Sequence, residues 1–168
     1  ALDYLLDACK LIDPQVALLL VGDGPNKARL IERVQQENLQ NVHFMPAIGK
    51  MQIPDFLNAC DALYIGWNNL PIYRFGICPN KLFDYMLSAK PIIHSVTAGN
   101  DLVSEADCGY SVAAEDVSAI TAAINQVSQL AQFERAELGT RGKTYVLQQH
   151  DYAILAQKFL AGVFDTAK

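Results

Sequence analysis

Three polar residues near the middle of the chain have the types and spacing to hold an anionic ligand. Asn80, Lys81 and Asp84 fall at i, i+1 and i+4, so a helix would set an amide, a cation and a carboxylate on one face of its first turns. Leu82, Phe83 and Met86 take the opposite face. Pro79 stands at about the first helical position, where its missing N–H costs nothing, and Lys90-Pro91 closes the helix. Phe75, Gly76, Ile77 and Cys78 precede it as an irregular loop. Such a loop presents free backbone N–H groups and the positive end of the helix dipole, a setting that suits phosphate.

A second turn, Gly22-Asp23-Gly24-Pro25, follows an apolar run. It lacks the third glycine of a dinucleotide fingerprint. His43 alternates with Val42 and Phe44 and reads as a strand residue, whereas His94 ends a strand on the expected ligand edge. Trp67, Tyr73 and Phe75 either fill core or stack on a base or sugar. The four cysteines, Cys9, Cys60, Cys78 and Cys108, form no CxxC pair and read as small hydrophobes in a reducing compartment, with Cys78 the exception by its place in the loop, a setting that can lower a thiol's pKa. No cluster of Asp, His or Cys has ligand spacing, so neither a metal nor a cofactor is expected.

The elements that must position these residues follow from the apolar pattern. Helical spacing covers 2–12, 26–39, 51–60, 79–88, 101–106 and 116–130, with Asn100 the expected N-cap of the fifth. Unbroken or short apolar runs at 16–21, 42–45, 62–66, 91–94 and 109–113 read as strands. VALLLV, at 16–21, fits a parallel strand buried on both faces. Residues 133–162 read as two helices divided near His150-Asp151. Strand and helix alternate, which predicts an α/β, Rossmann-like, doubly wound domain with a mostly parallel sheet and helices on both faces. Ligands bind such sheets at the carboxyl ends of the strands.

The chain has 168 residues, the length of one domain, with 51% hydrophobic residues and a net charge of −5. That balance argues against nucleic acid as a partner. No apolar run is long enough to span a membrane. The chain opens at Ala1 already in helical pattern and is read as one domain over 1–168, a piece of a longer protein.

Four blocks, taken in order, resemble the C-terminal, nucleotide-binding domain of retaining glycosyltransferases of the GT-B fold, family 4-like, group 1. They are LLLVGDGPNKARLIERVQQ, NVHFMPAIGKMQIPDFLNACDALYI, FGICPNKLFDYMLSAKPII and GYSVAAEDVSAITAAI. The resemblance implies a nucleoside diphosphate-sugar donor, with UDP first among bases, and transfer of a hexosyl or N-acetylhexosaminyl group without a required cofactor. It implies that Asp84 binds the donor ribose and that main-chain groups around Gly76, Ile77, Cys78, Pro79, Asn80 and Lys81 face the diphosphate or sugar. It implies that Ala47 and Ile48 lie against the base, and that Gly22 and Gly24 form the family's Gly-x-Gly-Pro turn. Most members carry Glu where this chain has Gly76. The family's first strand, its diphosphate-binding Arg and Lys, and the acceptor-binding N-terminal domain would all precede Ala1. The 168 residues are therefore expected not to transfer sugar alone. A bacterial, cytoplasmic setting at the inner membrane face, building polysaccharide or glycolipid, is the implied role. A non-catalytic nucleotide-sensing or protein-binding domain is the competing reading, kept open by Gly76. A response-regulator-like domain is disfavoured because no acidic cluster follows the first apolar strand.

Overall fold

The computed structural model describes residues 1–164; residues 165–168 of the expected domain lie outside the described residues. Five strands alternate with helices: α1 Leu2–Cys9, β1 Leu18–Val21, α2 Lys27–Gln36, β2 Val42–Met45, α3 Ile53–Ala59, β3 Leu63–Gly66, α4 Asn80–Leu87, β4 Ile92–Ser95, α5 Leu102–Glu105 and β5 Gly109–Val112. Three helices follow: α6 Val117–Gln129, α7 Gln132–Gln149 and α8 Tyr152–Phe164. All strand pairs are parallel.

Alternation along the strands feeds two cores. Ile93 and Tyr64 join Leu5, Leu6, Ile120 and Ile124 on the face covered by α1 and α6. Ile92 and Ile65 join Leu82, Met86, Val103 and Val146 on the face covered by α4, α5 and α7. Helices thus cover both faces, as expected of a doubly wound domain. Burying a side chain such as Leu82 or Met86 contributes about 1.5–3 kcal/mol. These two residues are what anchor α4 with its polar face outward.

The strands form two hydrogen-bonded ladders instead of one sheet: β1 with β2, and β3–β4–β5. β1 begins at Leu18, later than the expected strand, because Val16 N–H is turned back onto Asp13 O at 2.9 Å. Nor is β1 buried on both faces. Leu19 is 42% exposed, since one edge of β1 has no neighbouring strand.

α7 lies close on the end of α4. A Cβ at Gly139 would stand 1.9 Å from Ala89 O, so only a residue without one permits this approach. α8 buries none of its residues, and Tyr152, Phe159 and Phe164 are exposed.

Candidate functional site

The strands are parallel within each ladder, so the carboxyl ends of β1 and β2 share one edge and those of β3, β4 and β5 another, and the loops at each are joined. The first two loops are joined by Lys27, whose Nζ donates to Gly22 O at 2.7 Å, Asp23 Oδ1 at 2.9 Å and Met45 O at 3.0 Å. Ala47 N–H donates to the Asp23 carboxylate, which together with Lys27 holds that carboxyl below its usual range, Lys27 being the larger cause. The Gly22–Pro25 turn is thus cross-linked to the Pro46-Ala47 loop by a lysine that periodicity alone marks only as the start of a helix.

The loops after β3 and β4 are joined by a buried network. His94 is 1% exposed. Trp67 Nε1–H donates to His94 Nε2 at 3.1 Å. An indole N–H can only donate, so Nε2 is the acceptor nitrogen and Nδ1 carries the proton. His94 Nδ1 meets Asp101 Oδ1 at 2.8 Å. Burial pushes the Asp101 carboxyl up, but the hydrogen bonds from His94 and Ser111 outweigh it and leave it below its usual value. His94 and Trp67 therefore brace the loops after β3 and β4.

Asp101, not the expected Asn100, caps α5, with its carboxylate accepting from Val103 N–H at 3.1 Å. Asn100 is committed elsewhere. Its Oδ1 accepts from Ile77 N–H at 2.7 Å and its Nδ2 donates to Ile77 O at 3.0 Å. This corrects one expectation, because the Ile77 N–H is turned to Asn100 and not to solvent. Gly99 lets the two loops touch, since a Cβ there would stand 2.3 Å from Arg74 O. Gly76 has φ +102°, a conformation that a Glu side chain would strain.

Pro79 is the N-cap of α4, one position earlier than the sequence pattern placed it, and no side chain caps the helix. The N–H groups of Asn80 and Lys81 are left open there. Lys81 and Asp84 are exposed, and the two side chains form no ion pair among the described residues. Cys78 is exposed as well. Burial pushes the Cys9 thiol up to about 11 and the Cys108 thiol to about 12, which leaves both as packing groups.

A cavity of about 940 Å³ opens beside the Gly22–Pro25 turn. Gly22, Gly24, Lys27 and Lys81 line it, whereas Ala47, Ile48, Asp84 and the Gly76–Asn80 loop do not. The fold thus brings one part of the expected site to the cavity and sets the rest outside it. Among the described residues no three His, Cys, Asp or Glu side chains group as a metal site would need, and no helix is long and apolar enough to cross a membrane.

Residues 1–129 match the family described as Glycosyl transferases group 1. A search of curated proteins finds no match. Among solved structures, sucrose-phosphate synthase from Thermosynechococcus elongatus superposes with a TM-score of 0.76 at 22% identity, over 98% of this chain and 42% of that one. HepE from Anabaena, solved with UDP-glucose, gives 0.72 at 20% identity, over 96% of this chain and 44% of that one. The C-terminal domain of LpcC, a glycosyl transferase group 1 family protein from Francisella tularensis, gives 0.71 at 16% identity, over 89% and 78%. The chain spans less than half the length of the first two. The shared fold is that of the C-terminal domain of GT-B glycosyltransferases.

Proposed function

The chain belongs to the glycosyl transferases group 1 family, and from that membership we propose that it is the donor-binding half of a retaining glycosyltransferase. Its substrate is a nucleoside diphosphate-sugar, a UDP-sugar in the first instance, and its complete protein moves a hexosyl or N-acetylhexosaminyl group to a hydroxyl. The fold neighbour solved with UDP-glucose supports the choice of base. One arrangement carries the reading: α4 has an uncapped N-terminus, Lys81 lines the cavity beside it, and Asp84 stands one turn along with no ion-pair partner among the described residues.

In this reading the bond from the sugar's anomeric carbon to the donor diphosphate oxygen breaks, the nucleoside diphosphate leaves, and that carbon bonds to the acceptor oxygen, which gives up its proton. The open N–H groups of Asn80 and Lys81, the helix dipole and the Lys81 ammonium stabilise the growing negative charge of the diphosphate without proton transfer. Asp84 accepts hydrogen bonds from the ribose hydroxyls. With the Ile77 N–H held by Asn100, Cys78, Asn80 and Lys81 supply the main-chain donors of that loop. The acceptor binds the other half of the complete protein, at the inner face of a membrane where polysaccharide or glycolipid is assembled.

Calorimetric titration with UDP, GDP and ADP tests the reading. UDP is expected to bind best, and Asp84→Ala to weaken it by about 1.5–3 kcal/mol, the worth of a hydrogen bond to a charged group. The 168 residues alone are expected to transfer no sugar. No binding of any of the three by the complete protein would end the donor reading. Binding by the complete protein without transfer would instead favour a nucleotide-sensing domain, for which Gly76 is the supporting residue.

A further inference from the structure

Asn100 grips one residue of the loop before α4 by both of its backbone polar groups. Its Oδ1 accepts from Ile77 N–H at 2.7 Å, and its Nδ2 donates to Ile77 O at 3.0 Å. We infer that Asn100 is a positioning residue of the donor site: it aims the Cys78 N–H outward, where that group meets the donor. This rests on the donor reading and adds to it a residue that never touches the donor.

The aim follows from the planarity of the peptide unit. Among the described residues no peptide bond is cis. In a planar trans unit the C=O of one residue and the N–H of the next point in opposite directions. Holding Ile77 O against the Asn100 amide therefore turns Cys78 N–H directly away from it. Cys78 N–H has no acceptor among the described residues, and Cys78 is exposed. Two residues later α4 begins, with no side-chain cap. The aimed N–H thus precedes in the chain the open N–H groups of Asn80 and Lys81.

The clamp needs an amide and needs room. Ile77 offers one donor and one acceptor, and an asparagine side chain returns an acceptor and a donor; an ionised aspartate has no donor to return. Gly76 supplies the room. A Cβ there would stand 3.1 Å from Asn100 Oδ1, and the φ of +102° suits glycine. The jaw itself is fixed on both sides of Asn100. Gly99 N–H donates to Tyr73 O at 2.9 Å. Asp101 is bonded to His94 Nδ1 at 2.8 Å and accepts from Val103 N–H at 3.1 Å.

Preorganisation is what such a clamp contributes to binding. Glycine has more backbone freedom than any other residue, so a loop hinged on Gly76 would otherwise be ordered by the ligand, at a cost in affinity. With Ile77 held beforehand, Cys78 N–H is already turned when the donor arrives.

Calorimetric titration of the complete protein with UDP tests this. Asn100→Ala removes both bonds and is expected to weaken UDP about tenfold. Asn100→Asp keeps the shape and the acceptor for Ile77 N–H, but sets a carboxylate against Ile77 O. At pH 7 it is expected to weaken UDP at least as much. Protonation gives that carboxyl a donor again, so its deficit relative to the unaltered protein is expected to shrink as pH falls towards about 4. Asp101 and His94, bonded beside the clamp, are present in both proteins and cancel in that ratio. An asparagine with a structural role alone would lower Tm and leave UDP affinity below Tm, and its pH profile, unmoved. That result would overturn the inference while the donor reading stands. A complete, unaltered protein that binds no nucleotide would end both.

Discussion

Every residue of β4 is buried, and Ile92 has no exposure at all, whereas Leu19 in β1 is 42% exposed. β1 is LLLV and β4 is IIHS, so the more apolar strand is the less buried one and the difference lies in their neighbours. β4 has β3 and β5 on either side and helices on both faces; β1 pairs only with β2 and borders the cavity. The loops follow the same division. Those beyond β3 and β4 are stitched by Trp67, His94, Asp101 and Asn100 through buried hydrogen bonds. The α1–α2 side of the β1–β2 half adds partly exposed ion pairs of Arg29 and Arg33 with Asp3 and Asp7 to its apolar core of Leu5, Leu6 and Leu30. Apolar composition earns a strand its place in a sheet, but burial depends on what lies on both edges.

The contrast is open to direct test by truncation. Ile92→Ala is expected to cost about 2–5 kcal/mol, the range for a large core residue cut to alanine, and Leu19→Ala under about 1 kcal/mol in the 168-residue chain. Urea unfolding measures both, and equal costs would erase the distinction. Gly139→Ala should cost about 1–3 kcal/mol or more, because α7 must retreat from Ala89 O; at this size that lowers Tm by roughly 2–4 °C per kcal/mol. Trp67→Phe keeps the ring and removes the N–H, leaving buried His94 Nε2 without its donor. About 1–3 kcal/mol is expected from thermal unfolding, and a neutral result would mean the stitching of that half is decorative.

Acid should act on both halves. Asp3 is held down to about 2 from 3.8, first by its hydrogen bond from Arg29, with burial opposing. A depressed carboxyl adds stability that is present above the unfolded pKa and disappears as pH falls through the folded value. The Asp3 contribution is therefore complete above about pH 4 and lost towards about pH 2. Asp101 is shifted in the same direction. Asp3→Asn should flatten the stability slope in that window. Salt should separate the halves: these ion pairs are partly exposed, worth at most about 1 kcal/mol each and screened at about 1 M salt, whereas the buried Trp67–His94–Asp101 bonds should hold. Raising salt on the Asp3→Asn and Trp67→Phe chains shows which half responds.

Much of this architecture is legible in the residues. The strands at 42–45 and 62–66, the helix that carries Asn80, Lys81 and Asp84, and the break at His150-Asp151 all follow from local spacing and proline placement. Lys27 was not legible as a bridge between loops, because its third acceptor, Met45 O, lies at the end of a different strand. Asn100 was read as a cap because its type suits one. Asp101, next in sequence, suits it equally, and the choice between them depends on Ile77 lying within reach of Asn100. His94 looked ligand-facing from its place at a strand end, and only its contacts with Trp67 and Asp101 show it turned inward.

What the sequence determined by itself is the alternation of parallel strands and amphipathic helices and the polar face of α4, since both depend on neighbours a few residues away. Only the tertiary structure decided which apolar strand is sealed and which stands open, which asparagine clamps a loop, and which expected site residues reach the cavity. Those outcomes depend on residues far apart in sequence meeting across the sheet, and local patterning carries no record of such meetings.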